Sequence, residues 1–331
     1  MFPGSERLTE GGAGSAGGSR TGVPHITELR HITELRHDAL VYDSLEEYLT
    51  TAVTFIRDGL SRGEGAIVAH TRPGLAVMRE ALGPDAGSVT FVDVSSAYTR
   101  PAHTLAAYHA VYAEQLRRTP TLRAVADVQF GPEAAEWQLW TAYEAVFNQS
   151  FAHLPAWVLC TYNGTGLPGR IRDAVWRTHP TVVRRDGRER SEHYRDPEQI
   201  LRETAAPPVP LVTARTIGFG RDVEEFRERL AAELVLARLP EHRSLDLLVA
   251  ASELAANAVQ HGGGVRSARV GRAGGRFACQ IVDTGPGFDD PAAGYLAPRP
   301  GSGRGLWIAR QLAWQLDFFH APDGFTAQIV L

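Results

Sequence analysis

Lysine is absent from this sequence: all 34 basic residues among its 331 are arginine. A phosphate-cradling P-loop needs its lysine, a eukaryotic-type protein kinase needs its strand lysine, and a Schiff-base enzyme needs an amine, so these three chemistries are excluded. Any ATP must be held differently. Cysteine is nearly absent too. Cys160 and Cys279 lie far apart, with no CxxC and no histidine pair close in sequence, so neither a disulfide framework nor a structural zinc site is expected. Both read as small buried hydrophobes. No apolar run approaches the roughly 20 residues of a membrane helix, and the Gly/Ser-rich start lacks the layout of a signal peptide, so a cytoplasmic location without membrane contact is expected. Surplus positive charge is missing as well: the net charge is -4 and the pI near 6.3, which argues against direct nucleic-acid binding. The basic run from Arg184 to Arg190 reads as part of a solvated linker.

The length suits about two domains, each with its own core. Residues 1–24 are too poor in apolar groups to offset chain entropy, and residues 1–36 are expected to be disordered. Within them HITELR occurs twice, placing His25, His31 and His37 six apart. On a helix that spacing turns successive imidazoles by about 120°, which disfavours a metal site and leaves a sequence duplication. Residues 37–183 alternate β-branched runs with helical patterns, as a mostly parallel α/β sheet requires. The strands predicted are 66–70, 89–94, 122–130 and 157–162; the helices are 45–62, 75–82, 104–118, 135–153 and 168–179. His70, Asp93, Asp127, Gln129, Cys160 and Tyr162 fall at or near strand C-termini, where open sheets bind ligands. Charge and the APPVPL stretch place a linker at 184–210. A second α/β domain follows at 211–331, with strands at 211–217, 267–270, 276–282, 317–320 and 325–331, and helices at 222–238, 244–261 and 305–316.

Three motifs in the second domain carry chemistry. On the helix SLDLLVAASELAANAVQH, Glu253 and Asn257 are four apart and so share a face, where a carboxylate can orient a hydroxyl and an amide oxygen can help to hold Mg²⁺. The next strand ends in Asp283-Thr284-Gly285-Pro286-Gly287, an acid able to accept from an adenine amino group beside glycines that admit a flat ligand. Third, Gly301-Ser302-Gly303-Arg304-Gly305-Leu306 directly precedes a helix, whose N-terminal amides suit phosphate, with Arg304 adding positive charge.

ELAAN, DTGPG and GSGRGL, in this order, resemble the N, G1 and G2 boxes of the Bergerat-fold (histidine-kinase-like) ATPases, and VAASELAANAVQHGGG with GRGLWIARQL is most similar to anti-sigma-factor serine/threonine kinases. The resemblance implies ATP and Mg²⁺ as cofactors, with Glu253 as catalytic base and Asn257 as Mg²⁺ ligand. It also implies Asp283 as adenine contact, and Gly285, Gly287, Gly301, Gly303, Arg304, Gly305 and Leu306 around the nucleotide. Thr326 is a further adenine candidate, although Phe325 departs from the Gly-Thr pairing usual there. HDALVY, TFIRDGLSRGEGAIVAH, CTYN and THP in the first domain resemble the MEDS sensory domain, a RecA-related module, and imply that it senses an unidentified small molecule. The implied whole is an anti-sigma regulator that sequesters a sigma factor and phosphorylates a STAS-type anti-anti-sigma protein, with a possible homodimer. A sensor histidine kinase and an ATP-dependent sigma-binding module without phosphate transfer are the alternatives.

Overall fold

A computed structural model describes residues 32–95, 98, 100–131, 133–184, 187–205, 209–298, 303–321 and 324–331. His25, His31 and the disorder expected for residues 1–31 lie outside these residues. In the remainder of that segment Ile32 is buried and the Leu35 amide donates to the Ala152 carbonyl, while Thr33 and Glu34 are exposed.

The first half is a seven-stranded sheet in the order β3-β2-β4-β5-β1-β6-β7. Its strands are β1 (Arg36–Tyr42), β2 (Gly65–His70), β3 (Thr90–Asp93), β4 (Leu122–Asp127), β5 (Ala156–Asn163), β6 (Thr181–Arg184) and β7 (Gly187–Arg190). All pairings are parallel except the β6-β7 hairpin. Helices α1 (Leu45–Ser61) and α2 (Arg72–Leu82) cover one face; α3 (Pro101–Leu116), α4 (Ala134–Ser150), α5 (Gly169–Thr178) and α6 (Pro197–Thr204) cover the other. β2, β4 and β5 are therefore buried along almost their whole length, which is why they read as continuous apolar runs. At the start of α1, Ser44 accepts from the Glu47 amide while Glu47 accepts from the Asp43 amide, fixing the helix N-terminus.

β1 was not among the predicted strands, because its buried residues include His37 and Asp38. Asp38 is satisfied in the core: the Trp157 indole donates to it at 2.8 Å, and Arg188 grips it through two bonds of 2.7 and 2.9 Å. Arg188 belongs to the basic run read as linker, and its role differs because a buried carboxylate needs a countercharge. Residues 184–210 are likewise structured in two places. β7 completes the sheet, and α6, capped by Asp196, buries Ile200 and Leu201 among the α4-side core.

The second half is an antiparallel sheet in the order β11-β12-β10-β9-β8, made from β8 (Val212–Ile217), β9 (Val265–Ala273), β10 (Arg276–Asp283), β11 (Gln315–Ala321) and β12 (Gly324–Val330). Helices α7 (Val223–Ala237), α8 (Glu241–His261) and α9 (Gly305–Leu312) share a core with one face. The fold is thus α/β in both halves, as expected. The halves touch: at the head of α3, Arg100 donates to Asp246 on α8 at 2.6 Å and to the Gln311 carbonyl on α9 at 3.3 Å.

Candidate functional site

The three motifs meet at a cavity of about 590 Å³ between α8, the end of β10, β12 and the start of α9. That volume is in the range of small-molecule sites. Leu254, Asn257, Ala258 and His261 line it from one face of α8, as positions three and four apart must. Glu253 is not in the lining; it sits beside the entry to α9. A Cβ on Gly305 would lie 2.7 Å from Glu253 Oε2 and 3.3 Å from Asn257 Nδ2, so the bare backbone at Gly305 is what lets α9 approach both groups.

Asp283 lines the cavity from the end of β10, and its Oδ1 accepts from the Gly285 amide at 2.8 Å, which holds the carboxylate in place. Gly285 backs on to Gly262: a Cβ there would lie 2.6 Å from Gly262 Cα, a backbone contact with nothing flexible to yield. Gly287 has φ +67° and lines the wall, where a Cβ would meet the Phe325 ring at 2.1 Å. Gly303, Gly305 and Leu306 line the α9 end, whereas Arg304 is exposed at the helix cap. Gly301 lies outside the described residues.

Thr326 is not in this wall. β12 pairs with β10 so that Asp283 faces Phe325 and Ile281 faces Ala327; alternation turns these toward the cavity and Thr326 to the opposite face of the sheet. Phe325 is buried and packs on Phe288, Phe318 and His320. Sequence reading also passed over Arg310. It is buried, donates to the Ala293 and Leu316 carbonyls at 2.7 and 2.8 Å, and lies 3.9 Å over the Tyr295 ring, so it pins the segment 290–298 that closes one side of the cavity. A basic residue in the last turn of a helix signals dipole compensation, which gave no reason to single it out. Asp317 nearby is pushed up to about 6 by burial, with Arg310 opposing.

In the first half the six strand-end residues separate into distinct places. His70 lies 3.3 Å from Asp127, which accepts from Gln129, and Asp93 pairs with Arg72 at 2.7 Å, all at the C-terminal edge of the sheet. Burial raises the Asp127 carboxyl and lowers His70. Cys160 and Tyr162 instead point under the sheet toward α4, into a fully buried group with His37, Glu144 and His179. There burial lowers His37 to about 4, lowers His179 as well, raises Glu144 to about 8, and raises the Cys160 thiol.

Residues 36–180 match the family model of MEDS, the MEthanogen/methylotroph, DcmR Sensory domain, and residues 220–331 match that of the histidine kinase-like ATPase domain. The chain joins a MEDS domain to a histidine-kinase-like ATPase domain. None of the curated proteins matches the chain. The ATPase match spans every residue that lines the cavity, and such a domain implies nucleotide binding. At about 590 Å³ the cavity is large enough for such a ligand. No helix among the described residues is long and apolar enough to cross a membrane.

Proposed function

We propose that the protein is an anti-sigma-type regulatory kinase: its ATPase domain binds ATP with Mg²⁺, sequesters a sigma factor and phosphorylates Ser or Thr of a STAS-type antagonist, under control of a small-molecule signal at the MEDS domain. The observation that carries this reading is the convergence of Asn257, Asp283 and the glycines on one cavity, with Glu253 at the mouth of α9. ATP with Mg²⁺ supplies the phosphoryl group and a countercharge. Asp283 accepts from the exocyclic amine of the base and excludes a base that offers an acceptor there. The Asn257 amide oxygen contributes to holding the cation. The N-terminus of α9, with Arg304, supplies positive potential for the phosphates. Glu253 orients the acceptor hydroxyl and takes its proton, a contribution of about 10²–10⁴ in rate.

Calorimetry with ATP, with and without Mg²⁺, on the wild type and on Asn257→Ala and Asp283→Ala tests the site. Mg²⁺-dependent binding weakened at least about tenfold in both variants, or about 1.4 kcal/mol, is expected; binding unchanged in both sinks the assignment. Transfer to a STAS-type protein is then followed by mass spectrometry. Glu253→Ala is expected to keep ATP binding and lose acid-stable phosphate transfer. Binding without transfer in the wild type favours a sequestering module, and acid-labile phosphate on a histidine of this chain favours a histidine kinase.

A further inference from the structure

We propose that His37, Glu144, Cys160 and His179 form a buried site for one zinc ion in the MEDS domain, a site separate from the nucleotide cavity. The four side chains come from β1, α4, β5 and the end of α5, and one ligand atom from each lies within 4.8 Å of all the others. Ligands around a tetrahedral zinc, at bond lengths of about 2.0–2.3 Å, stand roughly 3.3–3.7 Å apart. Three of the six edges are close to that: His37 Nε2 is 3.2 Å from Cys160 Sγ and 3.5 Å from Glu144 Oε2, and His179 Nε2 is 3.6 Å from the same oxygen.

The second observation is how the ligands are held. Asn148 donates through Nδ2 to the Glu144 and Thr178 carbonyls, so its oxygen is what faces His37 Nδ1, at 3.0 Å. That oxygen can only accept, which puts the His37 proton on Nδ1. His179 Nδ1 lies 2.9 Å from the Val175 carbonyl, which fixes the same tautomer. Both Nε2 lone pairs are therefore turned inward, toward an acid and a thiol, the orientation that metal-binding histidines take from their outer partners. Neither Glu144 oxygen receives a hydrogen bond although both are buried. The Tyr162 hydroxyl lies near enough to Glu144 to lower its pKa somewhat but does not satisfy either oxygen, and it stands 3.4 Å from His179 Nε2, longer than a normal O–H···N bond. The two unpartnered Glu144 oxygens, and a His179 Nε2 lone pair with only the long Tyr162 contact, are costly in a dry core without a cation, while the His37 Nε2 lone pair has the Cys160 thiol as its donor until that proton leaves.

Charge and ligand type point to zinc. A thiolate and a carboxylate neutralise a dication, so the loaded cluster adds no net charge to the interior. Two imidazoles, one sulfur and one oxygen form a borderline-soft set that suits zinc and leaves magnesium and calcium, which prefer all-oxygen shells, disfavoured. The thiol and carboxyl protons pass to solvent as the ion enters.

The test uses the full chain, stripped with chelator and refilled with Zn²⁺ or with Co²⁺ as a spectroscopic probe. Expected are one ion per chain, a thiolate-to-cobalt charge-transfer band and the intense visible bands of a four-coordinate site. Cys160→Ser is expected to remove the charge-transfer band and Cys279→Ser, at the other buried cysteine, to keep it. His179→Gln is expected to abolish stoichiometric uptake. Asn148→Ala, which leaves all four ligands in place, is expected to weaken zinc affinity about 10–100-fold and shift the visible bands. A refilled wild type with no thiolate band overturns the site whether or not the variants fold, as does uptake that survives both Cys160→Ser and His179→Gln.

Discussion

Replacing Gly287 with alanine perturbs the cavity wall at one defined point. The residue has φ +67°, and its new Cβ would stand 2.1–2.6 Å from three atoms of the Phe325 ring. Adopting the left-handed conformation with a side chain costs about 1–2 kcal/mol, and displacing a buried ring costs about 1–3 kcal/mol more. The sum, about 2–5 kcal/mol, applies to the ATPase domain. Phe325→Ala alone removes a buried aromatic side chain and costs about 3–5 kcal/mol. In the double variant the steric part of the Gly287→Ala penalty disappears while the backbone part persists, so the double is less destabilised than the sum of the singles by about 1–3 kcal/mol. Denaturant unfolding of the full chain, with the two domains fitted as separate transitions, supplies the four free energies. Trp307 lines the cavity, so a change in tryptophan fluorescence on adding nucleotide is the expected readout of affinity in the same proteins. A coupling below about 0.5 kcal/mol is ordinary additivity and refutes the placement of Phe325 against Gly287.

Asp317 is pushed up to about 6 from an ordinary value near 3.8, so the folded chain holds the proton more tightly than the unfolded chain. Stability is then full below about pH 4 and falls, by at most about 3 kcal/mol, as pH rises through 6; Asp317→Asn is expected to flatten that dependence and raise the denaturation midpoint of the ATPase domain at pH 7. Arg100 and Asp246 are 19% and 18% exposed at their 2.6 Å contact, so Arg100→Ala is expected to cost about 1–3 kcal/mol, and a cycle with Asp246→Ala to show coupling; additive effects refute the bridge. Arg123 is buried between Asp58 and Glu64, at 2.8 and 2.6 Å. Its replacement by Ala leaves Glu64 uncompensated, while Asp58 keeps Arg62 at 3.1 Å, and is expected to cost the MEDS domain about 3–5 kcal/mol, whereas a thermal melt unchanged from wild type contradicts the buried pair.

The cavity lined by the three motifs was legible because its parts are local. Glu253 and Asn257 share one helix, Asp283 and Gly287 one strand end, and Gly303 to Leu306 one helix start, so spacing alone carries each motif; the fold merely brings three short segments together. The face of Thr326 was not legible, since alternation fixes the period of a strand but not its phase, and the phase comes from the Asp283–Phe325 pairing across to β10. Asp38 and Arg188 illustrate a stronger limit. A buried acid in a central strand contradicts hydrophobic patterning until its partner is known, and that partner stands 150 positions along the chain.

The cluster at Cys160 marks the far end of this range. Zinc motifs are recognised when ligands come in close pairs, whereas here residues 37, 144, 160 and 179 come from four different elements, each contributing one ligand to a face set by the sheet. Sequence spacing in a parallel sheet is governed by crossover length, so ligands on neighbouring strands are separated by whole helices and carry no short-range signature. What the sequence did contain was chemistry out of place: a histidine opening the apolar run HDALVY, a glutamate on the core side of TAYEAVFNQ, and a histidine before the proline of THP. Each is tolerable alone as a satisfied polar residue. Their meeting on one dry face, with the tautomers of both histidines set by acceptors and with Glu144 unpartnered, is the step that only three-dimensional placement supplies, and it turns three local anomalies into one ligand set.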